Sequence, residues 1–78
     1  NSSAASDVYK RQGESKTVHG CEGMTLIYCG VGEVHVIVGD ESVELKADEA
    51  ARLDGYAGEI KLCSKTGAKL MLAKAKEI

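Results

Sequence analysis

Val34, Val36 and Val38 alternate with Glu33, His35 and Ile37. A period of two belongs to an extended strand with one buried face, because successive side chains point to opposite sides of the chain. Related runs recur along the sequence. Residues 24–29 are mostly apolar, Val43 and Leu45 flank Glu44, and 50–53 form a short segment. Ile60 and Leu62 alternate with Glu59, Lys61 and Cys63, and Leu70 and Leu72 flank Met71. Turn-forming groups separate these runs: Gly30-Val31-Gly32, Gly39-Asp40-Glu41-Ser42, Lys46-Ala47-Asp48-Glu49, Asp54-Gly55 and Lys65-Thr66-Gly67. Short strands spaced by about 8–12 residues with turns between them predict an all-β, antiparallel sandwich or barrel. The stretch 47–52 has good helix propensity but is too short to change that architecture. The Ala/Lys-rich end reads equally as strand or helical turn.

The start of the chain has a different character. Residues 2–12, SSAASDVYKRQ, match the translation of a transposase-type sequencing adapter over all eleven positions. A foreign segment of this kind is set aside before reasoning about fold. The expectation is a non-native, disordered tail over 1–12 and a single β domain over 13–78, with natural residues missing upstream.

Ten Lys and Arg against twelve Asp and Glu leave a net charge of −2. That balance lacks the basic face that nucleic-acid binding requires. No apolar run approaches the roughly 18 residues of a membrane span, and no targeting leader is visible. A cytoplasmic protein without nucleic-acid or membrane partners is therefore expected. Cys21, Cys29 and Cys63 form no C-x-x-C pair and read as small buried hydrophobes in a reducing compartment. Phe and Trp are absent, so aliphatic side chains must supply nearly all of a small core.

The run Leu26-Ile27-Tyr28-Cys29-Gly30-Val31-Gly32-Glu33-Val34-His35-Val36, followed by Gly39-Asp40-Glu41 and 43–50, resembles the central hairpins of a cupin. The resemblance implies a small antiparallel jelly-roll barrel, here incomplete at its N-terminus. Metal-dependent cupins place two histidines and a glutamate ahead of the G-x-G and a further histidine in a second motif. In this chain Thr17, His19 and Gly23 fall on the first set of positions, and Glu22 is one residue out of register. One residue of slip turns a strand side chain to the other face. No histidine follows His35. The expectation is no metal and no cofactor. The chain is also similar to the HutD/Ves branch, which lacks the metal triad. Gly13 and Gly20 have the spacing of its first motif, Gly30 and Gly32 match its second, and Leu53-Asp54-Gly55-Tyr56-Ala57 matches its third with Leu for Phe. That resemblance implies a ligand-binding or regulatory role linked to histidine utilisation.

No catalytic residue is assigned. His35, Asp54, Tyr56 and His19 are the candidate ligand-binding residues. His35 lies opposite in facing to the valines, so it points to solvent unless it lines a barrel mouth. Asp54 before Gly55 reads first as a turn former whose carboxylate bonds backbone N–H groups. Cys63 and Ser64 have no histidine nearby in sequence, and Gly30-Val31-Gly32 lacks the third glycine and following helix of a dinucleotide site.

Three readings follow. The leading one is a non-catalytic cupin-like protein that binds a small molecule or regulates. The second is a fragment of a metal-dependent cupin enzyme, an isomerase or dioxygenase, whose ligands lie upstream. The third is a structural half of a bicupin, in which unpaired strand edges invite a homodimer or a second cupin domain.

Overall fold

The computed structural model describes residues 3–10 and 14–76. Among them, seven strands and no helix are present: β1 (Ser3–Lys10), β2 (Ser15–His19), β3 (Met24–Val38), β4 (Glu41–Lys46), β5 (Glu49–Asp54), β6 (Glu59–Cys63) and β7 (Ala68–Ala75). All the pairings are antiparallel. The all-β reading holds, and the two ambiguous segments, 47–52 and the Ala/Lys end, are a turn into β5 and strand β7. Helix propensity gives way there to the hydrogen bonds that neighbouring strands offer.

The fold turns on β3. Its first half pairs with β7 and β5, and its second half with β4 and β6. One sheet therefore runs β1-β7-β3-β5 and the other β4-β3-β6-β2, with β3 common to both. The sequence predicts a turn at Gly30-Val31-Gly32; the structure instead carries the strand straight through it. The register slips between Cys29 and Val31, the mark of a β-bulge. The slip has a consequence for facing. Thr25, Ile27 and Cys29 are buried before it, and Val34 and Val36 after it. Odd positions thus face the core in the first half and even positions in the second. Without the bulge, one half of β3 would turn its apolar side chains to water.

Gly32 makes this possible. It sits at φ +85°, and a Cβ there would lie 2.1 Å from the carbonyl oxygen of Gly67. Gly30 has only ordinary contacts around the equivalent position, so the second glycine of the pair is the indispensable one.

Ile27, Cys29, Val34, Val36, Leu45, Ile60, Leu62, Ala68 and Leu70 form the core. Val18, Val38, Ala51, Leu53, Tyr56 and Leu72 pack against it. The β3–β4 hairpin turns at Gly39-Asp40 with Gly39 at φ +60°. The β4–β5 turn uses Asp48 at φ 71°. Asp48 donates its N–H to the Cys29 carbonyl at 2.7 Å, and its carboxylate accepts the Tyr28 hydroxyl at 2.5 Å. That bond pushes the Tyr28 hydroxyl above its ordinary pKa. This turn is thereby fixed beside the bulge.

Residues 3–10, expected to be disordered, form β1 along the outer edge of β7. An open edge presents a row of unsatisfied N–H and C=O groups, and an extended segment of almost any composition can pair with them. The other residues of the expected tail lie outside the described residues.

Replacing Gly32 with Ala is expected to destabilise the protein by about 3 kcal/mol, from left-handed backbone strain plus the clash with Gly67. Gly39→Asn, with open space around it, is expected to cost less than about 1 kcal/mol. Urea unfolding followed by circular dichroism measures both.

Candidate functional site

Two features of the folded chain have chemistry in them: a cleft between the sheets, and a polar row on the outer face of the second sheet.

The cleft opens where β4 and β5 part. The two strands leave the turn at Ala47-Asp48 into different sheets and barely touch beyond it. Their inward faces are left partly uncovered. Val36 and Val38 of β3 form the floor, with Val43 on one side and Ala51 and Leu53 on the other. Glu41, Ser42 and Arg52 stand at the rim. The cavity measures about 200 Å³. Val43 is half exposed, at 49%, although it pairs with buried Val36, so apolar surface faces solvent here. Arg52 Nε lies 3.1 Å from Asp54 Oδ1, with both side chains mostly in water, an arrangement worth little in stability and open to exchange for another anion.

The outer row begins at Glu33. Its Oε1 accepts the backbone N–H of Lys65 at 2.9 Å and of Thr66 at 3.1 Å, and the hydroxyl of Thr66 at 3.2 Å. Ser64 in turn donates to the Glu33 carbonyl at 2.5 Å and accepts the Gly67 N–H at 2.9 Å. One carboxylate thus caps the whole β6–β7 turn, next to the Gly32–Gly67 approach. The Thr66 N–H, chiefly, holds the Glu33 carboxyl below its usual pKa. A depressed carboxyl stabilises the fold above the ordinary carboxylate range, and that contribution fades as pH falls through the lowered value.

His35 shares the outer face with Glu33. Glu44 of β4 stands directly across from it on one side and Cys63 of β6 on the other. The facing expected for His35 is the one observed: it points away from the core. Its neighbours were not visible in the sequence, since strand register brings Cys63 alongside from 28 positions away. His19 ends β2, exposed and opposite Glu59. Tyr56 packs on the core edge and donates its hydroxyl to the Glu59 carbonyl at 2.8 Å. Asp54 does not bond the turn backbone as its place before Gly55 suggests; its carboxylate goes to Arg52 on the same face of β5, two residues back. The four candidates do not converge. His35, Tyr56 and Asp54 border three separate hollows, and only Asp54, through Arg52, touches the cleft.

Cys29 is buried, and burial pushes its thiol up in pKa, so it is an inert neutral group. Among the described residues the core offers no ligand set for an ion. The inward positions of β3 are Thr25, Ile27, Cys29, Val34 and Val36, and both histidines face outward. A histidine-coordinated metal inside the barrel does not fit these residues.

No protein-family profile matches the chain, and no curated protein does. Solved structures do. A cupin superfamily protein from Desulfitobacterium hafniense superposes with a TM-score of 0.81 at 17% identity, over 96% of this chain and 68% of that one. The cupin_2 domain of an XRE family transcriptional regulator from Enterobacter cloacae gives 0.78 at 14% identity, over 96% and 83%. A cupin-2 domain containing protein from Shewanella frigidimarina gives 0.75 at 16% identity, over 97% and 72%. At these identities the likeness is one of fold, and the fold is the cupin barrel.

Glu33→Ala is expected to destabilise the protein by about 1–3 kcal/mol, because two backbone N–H groups and the Thr66 hydroxyl lose their acceptor. Glu59→Ala, whose carboxylate makes no such bonds among the described residues, is expected to change stability by less than about 0.5 kcal/mol. Thermal or urea unfolding distinguishes the two.

Proposed function

We propose that this chain is a non-catalytic, cupin-like small-molecule-binding domain whose ligand enters the cleft between β4 and β5. The observation that carries the reading is the cleft itself: an apolar floor of Val36, Val38, Ala51 and Leu53 under a polar rim of Glu41, Ser42 and Arg52. An apolar pocket with a few convergent polar groups is the usual form of a small-ligand site. At about 200 Å³ it suits a molecule of one ring rather than a nucleotide or a coenzyme. Arg52 favours a ligand that carries a carboxylate, which would exchange with Asp54 for the guanidinium.

Among the described residues no nucleophile–base pair supports catalysis. Cys29 is neutral and sealed in, and among the described residues no hydrogen bond joins Cys63 to His35. A regulatory role is consistent with the presence of the same fold in a domain of a transcriptional regulator. The HutD/Ves-like pattern narrows the proposal further, to planar imidazole carboxylates of histidine utilisation.

Saturation-transfer NMR with benzoate and with imidazole acrylate tests the reading. Both are expected to receive saturation from the protein, with imidazole acrylate the tighter. Ala51→Phe, which fills the cleft, is expected to abolish the transfer while leaving the fold intact by circular dichroism. No transfer to either probe, or transfer unaffected by Ala51→Phe, contradicts the cleft as the site.

A further inference from the structure

The outer face of the second sheet brings three ligand-type side chains together, away from the residues that line the cleft. Glu33, His35 and Glu44 each place one ligand atom within 4.8 Å of the others. Strand pairing, not chance proximity of loops, sets this arrangement. Glu33 and His35 are two apart on β3, so they share a face, and Glu44 is the direct cross-strand partner of His35.

The oxygens are unequal in a telling way. Glu33 Oε1 is held by three donors from the β6–β7 turn, the Lys65 and Thr66 N–H groups and the Thr66 hydroxyl. Those bonds fix the carboxylate plane. Its other oxygen, Oε2, is buried and has no hydrogen-bond partner, and it lies 3.9 Å from His35 Nδ1. A buried anionic oxygen without a donor is costly and calls for a compensating cation. Among the described residues no lysine or arginine pairs with Glu33 or Glu44.

We propose that Glu33, His35 and Glu44 form a binding site for a divalent transition metal, Zn²⁺ above all, on the outside of the barrel. Two carboxylates and a neutral imidazole match the charge of a divalent ion and the mixed N/O donor set that zinc accepts. Bonds of about 2.1 Å hold tetrahedral ligands roughly 3.4 Å apart. From a spread of at most 4.8 Å, the widest pair must therefore close by up to about 1.4 Å. Glu44 is exposed and free to swing, while Glu33 stays anchored. The Glu33 carboxylate, gripped through Oε1 by the turn, has the form of a ligand oriented by its own hydrogen bonds. Three protein ligands leave a fourth position for water or an exogenous anion.

Isothermal titration of tag-free, reduced, chelator-treated protein with zinc chloride, at about pH 8 because protons compete with metal for the ligands, tests the site. One saturable Zn²⁺ per chain is expected. His35→Gln and Glu44→Gln are each expected to weaken binding by more than about tenfold, with unchanged circular dichroism in the absence of metal. Cys63→Ser, outside the group, is expected to keep the affinity. A measurement on the unaltered protein stands beside the variants: on adding Zn²⁺, the ring ¹⁵N signals of His35 are expected to shift and those of His19 to stay. Absence of saturable binding, affinity retained in both ligand variants, loss in Cys63→Ser, or a shift confined to His19 overturns the proposal. None of these outcomes depends on whether benzoate or imidazole acrylate occupies the cleft.

Discussion

The close approach of Gly32 to the Gly67 carbonyl is the contact on which the rest of this molecule depends. It lets a single strand leave one sheet and enter another without a break. The bulge at Cys29/Val31 then reverses which side chains face inward, and both halves of β3 feed one core. Fully burying an aliphatic side chain contributes about 1.5–3 kcal/mol, and Ile27, Val34 and Val36 are all sealed in. The small core exists because the crossing makes it common to both sheets.

The same crossing explains where the chemistry lies. Once even positions point inward after Gly32, odd positions must point outward, and Glu33 and His35 follow each other onto the outer face. Glu33 does two things from there. One oxygen closes the β6–β7 turn, which carries Gly67 against Gly32. The other faces the imidazole. The divergence of β4 and β5 from their tight turn opens the cleft. Function in this reading comes from the two places where sheet geometry leaves the interior uncovered or sets side chains abreast, not from a motif contiguous in sequence.

Much of this was legible in the residues. The valine alternation specified the strand and its facing, and put His35 outward unless it lined a barrel mouth. Asp54-Gly55, Gly39-Asp40 and Lys65-Thr66-Gly67 marked real turns. Gly30-Val31-Gly32 misled because positive φ serves a turn and a bulge equally, and only pairing partners far along the chain distinguish them. The pairing of Cys63 and Glu44 with His35 was hidden for the same reason, since register is a property of the sheet. The role of Glu33 left a faint trace: the turn 64–67 has N–H groups that need an acceptor, and an ionised side chain emerging beside it supplies one. Residues 3–10 show the reverse case, a segment whose strand state comes from the edge it meets.

Native-state hydrogen exchange resolved by residue tests most directly whether β3 is one strand shared by one core. The amides of Ile27 and Cys29 in the first half, and of Val34 and Val36 in the second, are expected to exchange through the same opening, with equal free energies and equal denaturant dependence. Two distinct openings, one for each half, would show that the chain breaks at the glycine pair and would contradict the account.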